Sequence, residues 1–134
     1  MPSLSSILLV DDDSTTNFLN QTLLKRMDTA QHILVAENGA EALQVLQNCV
    51  PPSVNCPNLI LLDMKMPVMN GLEFLEAYTQ LPLDQQQRIV IVMLTTSMLP
   101  QDLERVKLLP VASVLNKPLT REKVDSLLQQ YFKG

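Results

Sequence analysis

Four short apolar runs of the sequence end in side chains that can take part in phosphoryl chemistry. An acid cluster, a single acid, a hydroxyl and an ammonium group, each at the end of a buried strand, can build a metal-assisted site that accepts a phosphoryl group. The residues are Asp11, Asp12 and Asp13 after Ile7–Val10, Asp63 after Leu59–Leu62, Thr95 after Ile89–Leu94, and Lys117 after the weaker run Ala112–Leu115.

The carboxylates predict a divalent metal ion. Two ionised carboxylates about 4 Å apart repel by about 4 kcal/mol at an effective dielectric of about 20, so Asp11, Asp12 and Asp63 would converge only around a cation. A few hard oxygen ligands suit Mg²⁺, with Mn²⁺ as the alternative. The metal and Lys117 would screen a carboxylate that attacks a phosphoryl group, and Thr95 would donate a hydrogen bond to a phosphoryl oxygen.

The elements that must position these residues are five apolar runs separated by helical patterns. The runs are nearly continuous, as in parallel strands covered on both faces. This alternation predicts an α/β fold, a flavodoxin-like doubly wound (βα)5 domain whose five-stranded parallel sheet has the order 2-1-3-4-5. The strand ends that carry chemistry then share one edge, while strand 2 leads only into the turn Glu37–Gly39. The predicted strands are Ile7–Val10, Ile33–Ala36, Leu59–Leu62, Ile89–Leu94 and Ala112–Leu115.

Length and composition narrow the class of protein. A chain of 134 residues that is 46% hydrophobic predicts a single domain, residues 1–134 with a core of about 6–132 and no output domain. The net charge of −4 argues against nucleic acid or an anionic membrane as a partner. The sequence shows neither a signal peptide nor an apolar stretch of about 20 residues, which predicts a cytoplasmic protein.

The sequence contains two cysteines, Cys49 and Cys56, in the proline-rich stretch Asn48–Asn58. Because the cytoplasm is reducing, we expect two free thiols, with a disulfide across this loop as the alternative.

The motifs resemble the receiver domain of bacterial two-component response regulators, of the single-domain chemotaxis type. The resemblance rests on Ile7–Asp13, on Asp63–Gly71 with its Met-Pro and Asn-Gly pairs, on Thr95 and on Lys117-Pro118, in the order of that family. It covers about 6–132. It implies phosphorylation of Asp63 by a sensor histidine kinase or a histidine phosphotransfer protein.

The same resemblance implies a role for each site residue. Asp12 would bind Mg²⁺ directly, Asp11 largely through water, and Asp63 and the backbone carbonyl of Lys65 would complete the metal site. Thr95 corresponds to the switch hydroxyl and Lys117 to the lysine that pairs with phosphate, its bond to Pro118 typically cis. Gly71 fits the close turn into the third helix.

The resemblance also implies how the signal would leave the domain. The chain would catalyse only its own phosphorylation and dephosphorylation, rather than act as a dedicated enzyme, and would change a surface that binds a separate downstream protein. The family commonly has an aromatic residue three positions before the lysine, where this chain has Val114. A valine cannot swing inward as a ring does, so we expect a smaller or different response of the output surface.

Two alternatives belong to other functional classes. Asp11–Thr15 fits the D-x-D-x-T signature of haloacid-dehalogenase-like phosphatases, with Asp11 as the nucleophile. That family needs a later acidic pair at a strand end, and Glu122 and Asp125 lie instead in the pattern of the last helix. The second alternative is a binding module that kept the fold without being phosphorylated. The sequence has lost neither the acids nor the lysine that such a module would have lost.

Overall fold

The computed structural model of the chain describes residues 4–48, 56–81, 89–96 and 99–132. Most of the stretch Asn48–Asn58 and all of Cys49 therefore lie outside the described residues. Within those ranges the strands are β1 (Leu4–Val10), β2 (Ala30–Ala36), β3 (Leu59–Leu62), β4 (Val90–Thr95) and β5 (Ser113–Asn116). The helices are α1 (Ser14–Arg26), α2 (Gly39–Gln47), α3 (Gly71–Tyr78), α4 (Pro100–Val106) and α5 (Arg121–Tyr131).

The strands form one parallel sheet of order β2-β1-β3-β4-β5, which confirms the predicted fold and strand order. The register aligns the strand ends: Val10 pairs with Leu62, Leu62 with Met93, and Thr95 with Asn116. The residues that follow these strands therefore reach the same edge of the sheet.

Alternate residues of the central strands enter two separate cores, as the period of a strand requires. One core lies beneath α2, α3 and α4 and includes Leu8, Ile60, Leu62 and Met93. The other lies beneath α1 and α5 and includes Ile7, Leu9, Leu61 and Val92. Burial on both faces explains why the central strands are continuous apolar runs.

The edge strands are more exposed than the apolar runs predicted. Strand β2 is only partly buried, and Val35 is 39% exposed. Residues of β5 are also partly buried. The helices cover the middle of the sheet, so the two outer strands keep one side in contact with solvent.

Side-chain caps set where several helices begin. The Asp13 side chain accepts a hydrogen bond from Thr15 N–H at α1, and Thr120 accepts one from Lys123 N–H at α5. Pro100 begins α4, at a position where a helix tolerates proline. At α3 the Asn70 and Glu73 side chains form a reciprocal capping box, which fixes the helix start after Asp63.

One expectation is wrong, and one apolar side chain lies outside the core despite its helical spacing. Leu19 shares helical spacing with Leu23 and Leu24, yet it is 60% exposed, and the preceding Phe18 is 65% exposed. Cys56 is disulfide-bonded rather than a free thiol. Composition and compartment arguments describe the average environment of thiols, whereas a disulfide depends on local chain geometry. None of the described helices is long and apolar enough to cross a membrane.

Candidate functional site

The backbone ladders continue past the strand ends and fix the residues that carry the chemistry. Asp63 N–H donates to the Val10 carbonyl at 2.9 Å, and Lys117 N–H donates to the Thr95 carbonyl at 2.8 Å. Asp11 N–H donates in the same way to the carbonyl that ends β2, at 3.1 Å. These bonds tie the candidate residues to the rigid sheet rather than to mobile loops.

The three carboxylates predicted to bind metal lie together. Asp11, Asp12 and Asp63 each offer one carboxylate oxygen, and these oxygens lie within 4.8 Å of one another. Asp11 is 5% exposed and Asp63 is 9% exposed, while Asp12 is open to solvent. An all-oxygen donor set with one open side fits Mg²⁺, which keeps part of its water shell.

Lys117 provides the positive charge at this site. Its Nζ lies 2.8 Å from Asp11 Oδ2 and 3.3 Å from Asp63 Oδ1. The side chains are only 19%, 7% and 11% exposed, so water screens these ion pairs little. The ammonium is therefore held between the two acids that the sequence places 52 positions apart.

The electrostatics of Asp63 and Lys117 follow from this arrangement. Burial raises the pKa of the Asp63 carboxyl and the charge of Asp11 raises it further, against the opposing effects of Lys117 and of Met64 N–H. Burial by itself would lower the pKa of Lys117, but the hydrogen bond to Asp11 and the charges of Asp63 and Asp11 outweigh it and raise that pKa. Lys117 is thus a cation at neutral pH, and the ionised form of Asp63 is destabilised until more positive charge arrives.

Asn17 supports the acidic cluster and was missed by the sequence analysis. Its Nδ2 donates to the backbone carbonyl of Asp11 at 2.8 Å, and Asn17 is only 5% exposed. The signal was present, because Asn17 lies seven positions before the buried Leu24 and therefore on the same helix face. An amide on the buried face of a helix requires a polar partner.

The loop after β3 brings the start of α3 against Asp63. Gly71 N–H donates to the Met64 carbonyl at 2.9 Å. A Cβ at Gly71 would lie 2.6 Å from the Asp63 carbonyl oxygen, so only glycine fits this close approach. The resemblance implied a close turn at Gly71, and the contact gives its physical reason.

The remaining predicted residues lie on the loop after β3 and on strands β4 and β5. Lys65 is exposed in the loop after Asp63, and Thr95 is 3% exposed at the end of β4. Val114 is partly buried in β5, where it pairs with Met93 and packs against the core beneath α2, α3 and α4. The Lys117–Pro118 peptide is cis.

The two acids that could act as nucleophile differ in their contacts. Both oxygens of Asp11 are engaged, Oδ2 by Lys117 and Oδ1 by Asp13 N–H at 2.9 Å. Among the described residues, the contacts to Asp63 go to Oδ1, from Met64 N–H and Lys117, which leaves Oδ2 for another ligand. Asp63 thus keeps one carboxylate oxygen without a contact from the described residues, whereas both oxygens of Asp11 are bound.

The chain matches known proteins over most of its length. The family model of the response regulator receiver domain matches residues 7–129. The chain is 29% identical over 129 residues to the signal transduction histidine-protein kinase BarA of Escherichia coli, covering 96% of this chain and 13% of BarA. It is 36% identical over 92 residues to response regulator Rcp1 of Synechocystis sp., covering 68% of this chain and 61% of Rcp1. The chain thus spans only part of both relatives.

Solved structures agree with these sequence matches. A response regulator receiver protein from Dyadobacter fermentans has a TM-score of 0.83 at 26% identity, covering 98% of this chain and 99% of that protein. The chemotaxis protein CheY4 of Vibrio cholerae has a TM-score of 0.77 at 28% identity, covering 95% and 98%. The match to the family model over the acidic cluster and the sheet that positions it leads to one conclusion: the chain belongs to the response regulator receiver domains of two-component phosphorelay signalling.

Proposed function

We propose that Asp63 is the phosphoacceptor of this receiver and that a sensor histidine kinase or a histidine phosphotransfer protein supplies the phosphoryl group. The observation that carries the proposal is the position of Asp63, whose carboxylate lies together with those of two other acids and beside the Lys117 ammonium. In the reaction, Asp63 Oδ2 bonds to phosphorus while the phosphorus–nitrogen bond of the donor phosphohistidine breaks. The electron pair of that bond returns to the imidazole.

The residues of the chain have separate tasks in this reaction. Asp11, Asp12, Asp63 and the Lys65 carbonyl would hold Mg²⁺, or Mn²⁺ in its place, and the metal would supply charge neutralisation at the phosphoryl oxygens. Met64 N–H and Lys117 bind Asp63 Oδ1 and orient the carboxylate so that Oδ2 faces the donor. Lys117 then pairs with a phosphoryl oxygen, because its ammonium already lies beside the attacking group.

Thr95 and Val114 belong to the proposed output path. Thr95 is buried at the end of β4 and lies beside β5, whose Val114 packs on the core. The Thr95 hydroxyl would bind a phosphoryl oxygen and draw β4 toward Asp63, which shifts an existing equilibrium of the α4–β5 surface. Because the valine at position 114 cannot swing inward as a ring does, we expect its part in this shift to be limited to repacking against the core. The changed surface would act on a separate downstream protein in the cytoplasm.

The proposal is tested with acetyl phosphate as the donor, in the presence of MgCl₂. We expect intact-protein mass spectrometry to record the addition of a single phosphoryl group, and borohydride trapping followed by peptide mapping to place it at Asp63. EDTA and the Asp63→Asn variant should each abolish the addition, and Asp12→Asn should raise the MgCl₂ concentration needed for half-maximal addition.

The outcomes separate the three functional classes. A label at Asp11 that turns over repeatedly would support the phosphatase alternative. An unlabelled wild-type chain, with both acetyl phosphate and a histidine phosphotransfer protein as donors, would support a binding module that is not phosphorylated. Labelling at Asp63 that survives EDTA would contradict the metal requirement.

A further inference from the structure

Lys123 contacts the backbone on both sides of Lys117. Its Nζ donates to the Asn116 carbonyl at 2.6 Å and to the Pro118 carbonyl at 2.9 Å. These carbonyls belong to the residues immediately before and after Lys117. A single ammonium group in the first turn of α5 therefore holds both neighbours of the residue that pairs with Asp11 and Asp63.

The placement of Lys123 is unfavourable for the helix itself. Lys123 is the third residue after the N-cap Thr120, where a capping box requires Glu or Gln. The N-terminal end of a helix carries partial positive charge and favours acidic side chains. The equivalent position of α3 is Glu73, which completes a capping box. The stability of α5 thus gives no reason for a cation here, whereas the two carbonyls do.

The backbone of Lys117 is otherwise tied to the sheet through its own N–H, which donates to the Thr95 carbonyl. With the contacts from Lys123, the segment 116–118 is anchored to β4 on one side and to α5 on the other. Lys117 Nζ lies 2.8 Å from Asp11 and 3.3 Å from Asp63, so the 116–118 segment can move little before these contacts lengthen. Hydrogen bonds weaken steeply beyond such lengths, so a small drift of this segment would misplace the ammonium.

We propose that Lys123 is a positioning residue that fixes the 116–118 backbone and so sets the place of the Lys117 ammonium beside Asp63. It acts through Lys117 and does not itself touch the phosphoryl group. Its effect on phosphorylation rests on the function proposed above, but its effect on the backbone does not.

The test is a cycle of variants assayed for the initial rate of phosphorylation at saturating acetyl phosphate and MgCl₂. Lys123→Met keeps the aliphatic stem and removes the donors. We expect the rate to fall by about tenfold, because a displacement of about 1 Å at a reacting group can cost about a hundredfold and a smaller drift of Lys117 should cost less. In a Lys117→Ala background the same change should lower the rate little further, because Lys123 acts through the Lys117 ammonium, which is already absent. Lys123→Arg, which can still reach two carbonyls, should recover most of the rate.

Arg121→Met is the matched control, since it removes one exposed positive charge from the same helix turn. We expect it to leave the rate unchanged. Equal losses from Lys123→Met in both backgrounds, or an equal loss in Arg121→Met, would overturn the proposal.

A second measurement needs no phosphorylation. Amide hydrogen exchange followed by NMR should be about tenfold faster at Lys117 N–H in Lys123→Met than in the wild type, because local opening sets that protection. Unchanged exchange at this amide would refute the positioning role. If the wild-type chain takes up no phosphoryl group, but exchange at Lys117 N–H is still faster in Lys123→Met than in the wild type, only the proposed function is refuted.

Discussion

At the scale of single residues, Val68 carries backbone strain beside the site. Its φ is 67°, and Met69 N–H donates to the Pro67 carbonyl at 2.7 Å, which closes a three-residue turn around it. A β-branched residue in the left-handed region costs about 1–2 kcal/mol. The side chain is 82% exposed, so packing offsets little of that cost. The sharp turn leads directly into Asn70, the capping residue of α3.

Replacing Val68 should therefore stabilise the fold. We expect Val68→Asn to increase the free energy of unfolding by about 1 kcal/mol, because asparagine tolerates positive φ and does not add the unfolded-state freedom of glycine. Urea denaturation measures the change. Val68→Ala, which removes the branching but keeps a Cβ, should gain less. A loss of stability in Val68→Asn would indicate that the valine side chain makes a favourable contact.

At the scale of elements, α2 is joined to the loop that follows the acceptor. Gly39 N–H, at the start of α2, donates to the Met69 carbonyl at 2.9 Å. A Cβ at Gly39 would lie 2.8 Å from Met69 Cγ and 2.9 Å from the Met69 carbonyl oxygen. The helix and the loop can approach this closely only because residue 39 has no side chain.

Gly39→Ala tests this contact, because the contact and helix propensity predict opposite changes in stability. Alanine in place of glycine in a helix usually stabilises by up to about 1 kcal/mol. Here we expect a loss of about 1–3 kcal/mol, because a backbone oxygen must move to admit the methyl group. Thermal or urea denaturation measures the change, and Gln47→Ala, on the exposed end of α2, controls for propensity. A gain in Gly39→Ala would mean that the loop moves aside without cost.

At the scale of the whole molecule, the domain keeps a destabilising charge at its site. Burial of the Asp63 carboxylate is the largest unfavourable contribution, and two carboxylate oxygens at the 4.8 Å limit of the cluster add a repulsion of about 3 kcal/mol at an effective dielectric of about 20, while Lys117 acts against both. The folded state raises the pKa of Asp63 above its ordinary 3.8, so it binds more protons than the unfolded state. Stability therefore falls as the pH rises from 3.8 through the raised pKa. The raised pKa of Lys117 adds stability that is lost only above its ordinary 10.5.

Asp63→Asn should accordingly stabilise the metal-free protein at neutral pH. We expect a gain of about 1 kcal/mol at pH 7 in EDTA, or a few degrees in Tm, shrinking toward zero near pH 4. Scanning calorimetry at both pH values measures it. MgCl₂ should narrow the difference in Tm between Asp63→Asn and the wild type, since a bound cation neutralises the wild-type acids. Asp125→Asn, an exposed acid of α5, should change Tm little at either pH. A destabilised Asp63→Asn would show that the ion pair with Lys117 outweighs the repulsion.

The sequence predicted the fold well where burial decides it. Apolar runs without alternation located β1, β3 and β4, because strands covered on both faces have no polar side. It was less successful at Leu19 and β2, where position within the sheet and beneath the helices sets exposure. It missed Asn17, although the spacing to Leu24 places this residue on the buried helix face, because the sequence does not show which backbone carbonyl a buried amide will bind.

The sequence alone determined which chemical groups this protein has and the order of the strands that end in them. That follows because residue type, periodicity and chain order fix the strands and the sheet edge they share. Only the tertiary structure decided the contacts: the ammonium of Lys117 between two acids, the backbone held by Lys123, and the room that Gly39 and Gly71 leave. These depend on ångström-scale distances between distant parts of the chain, which packing sets and local sequence does not encode.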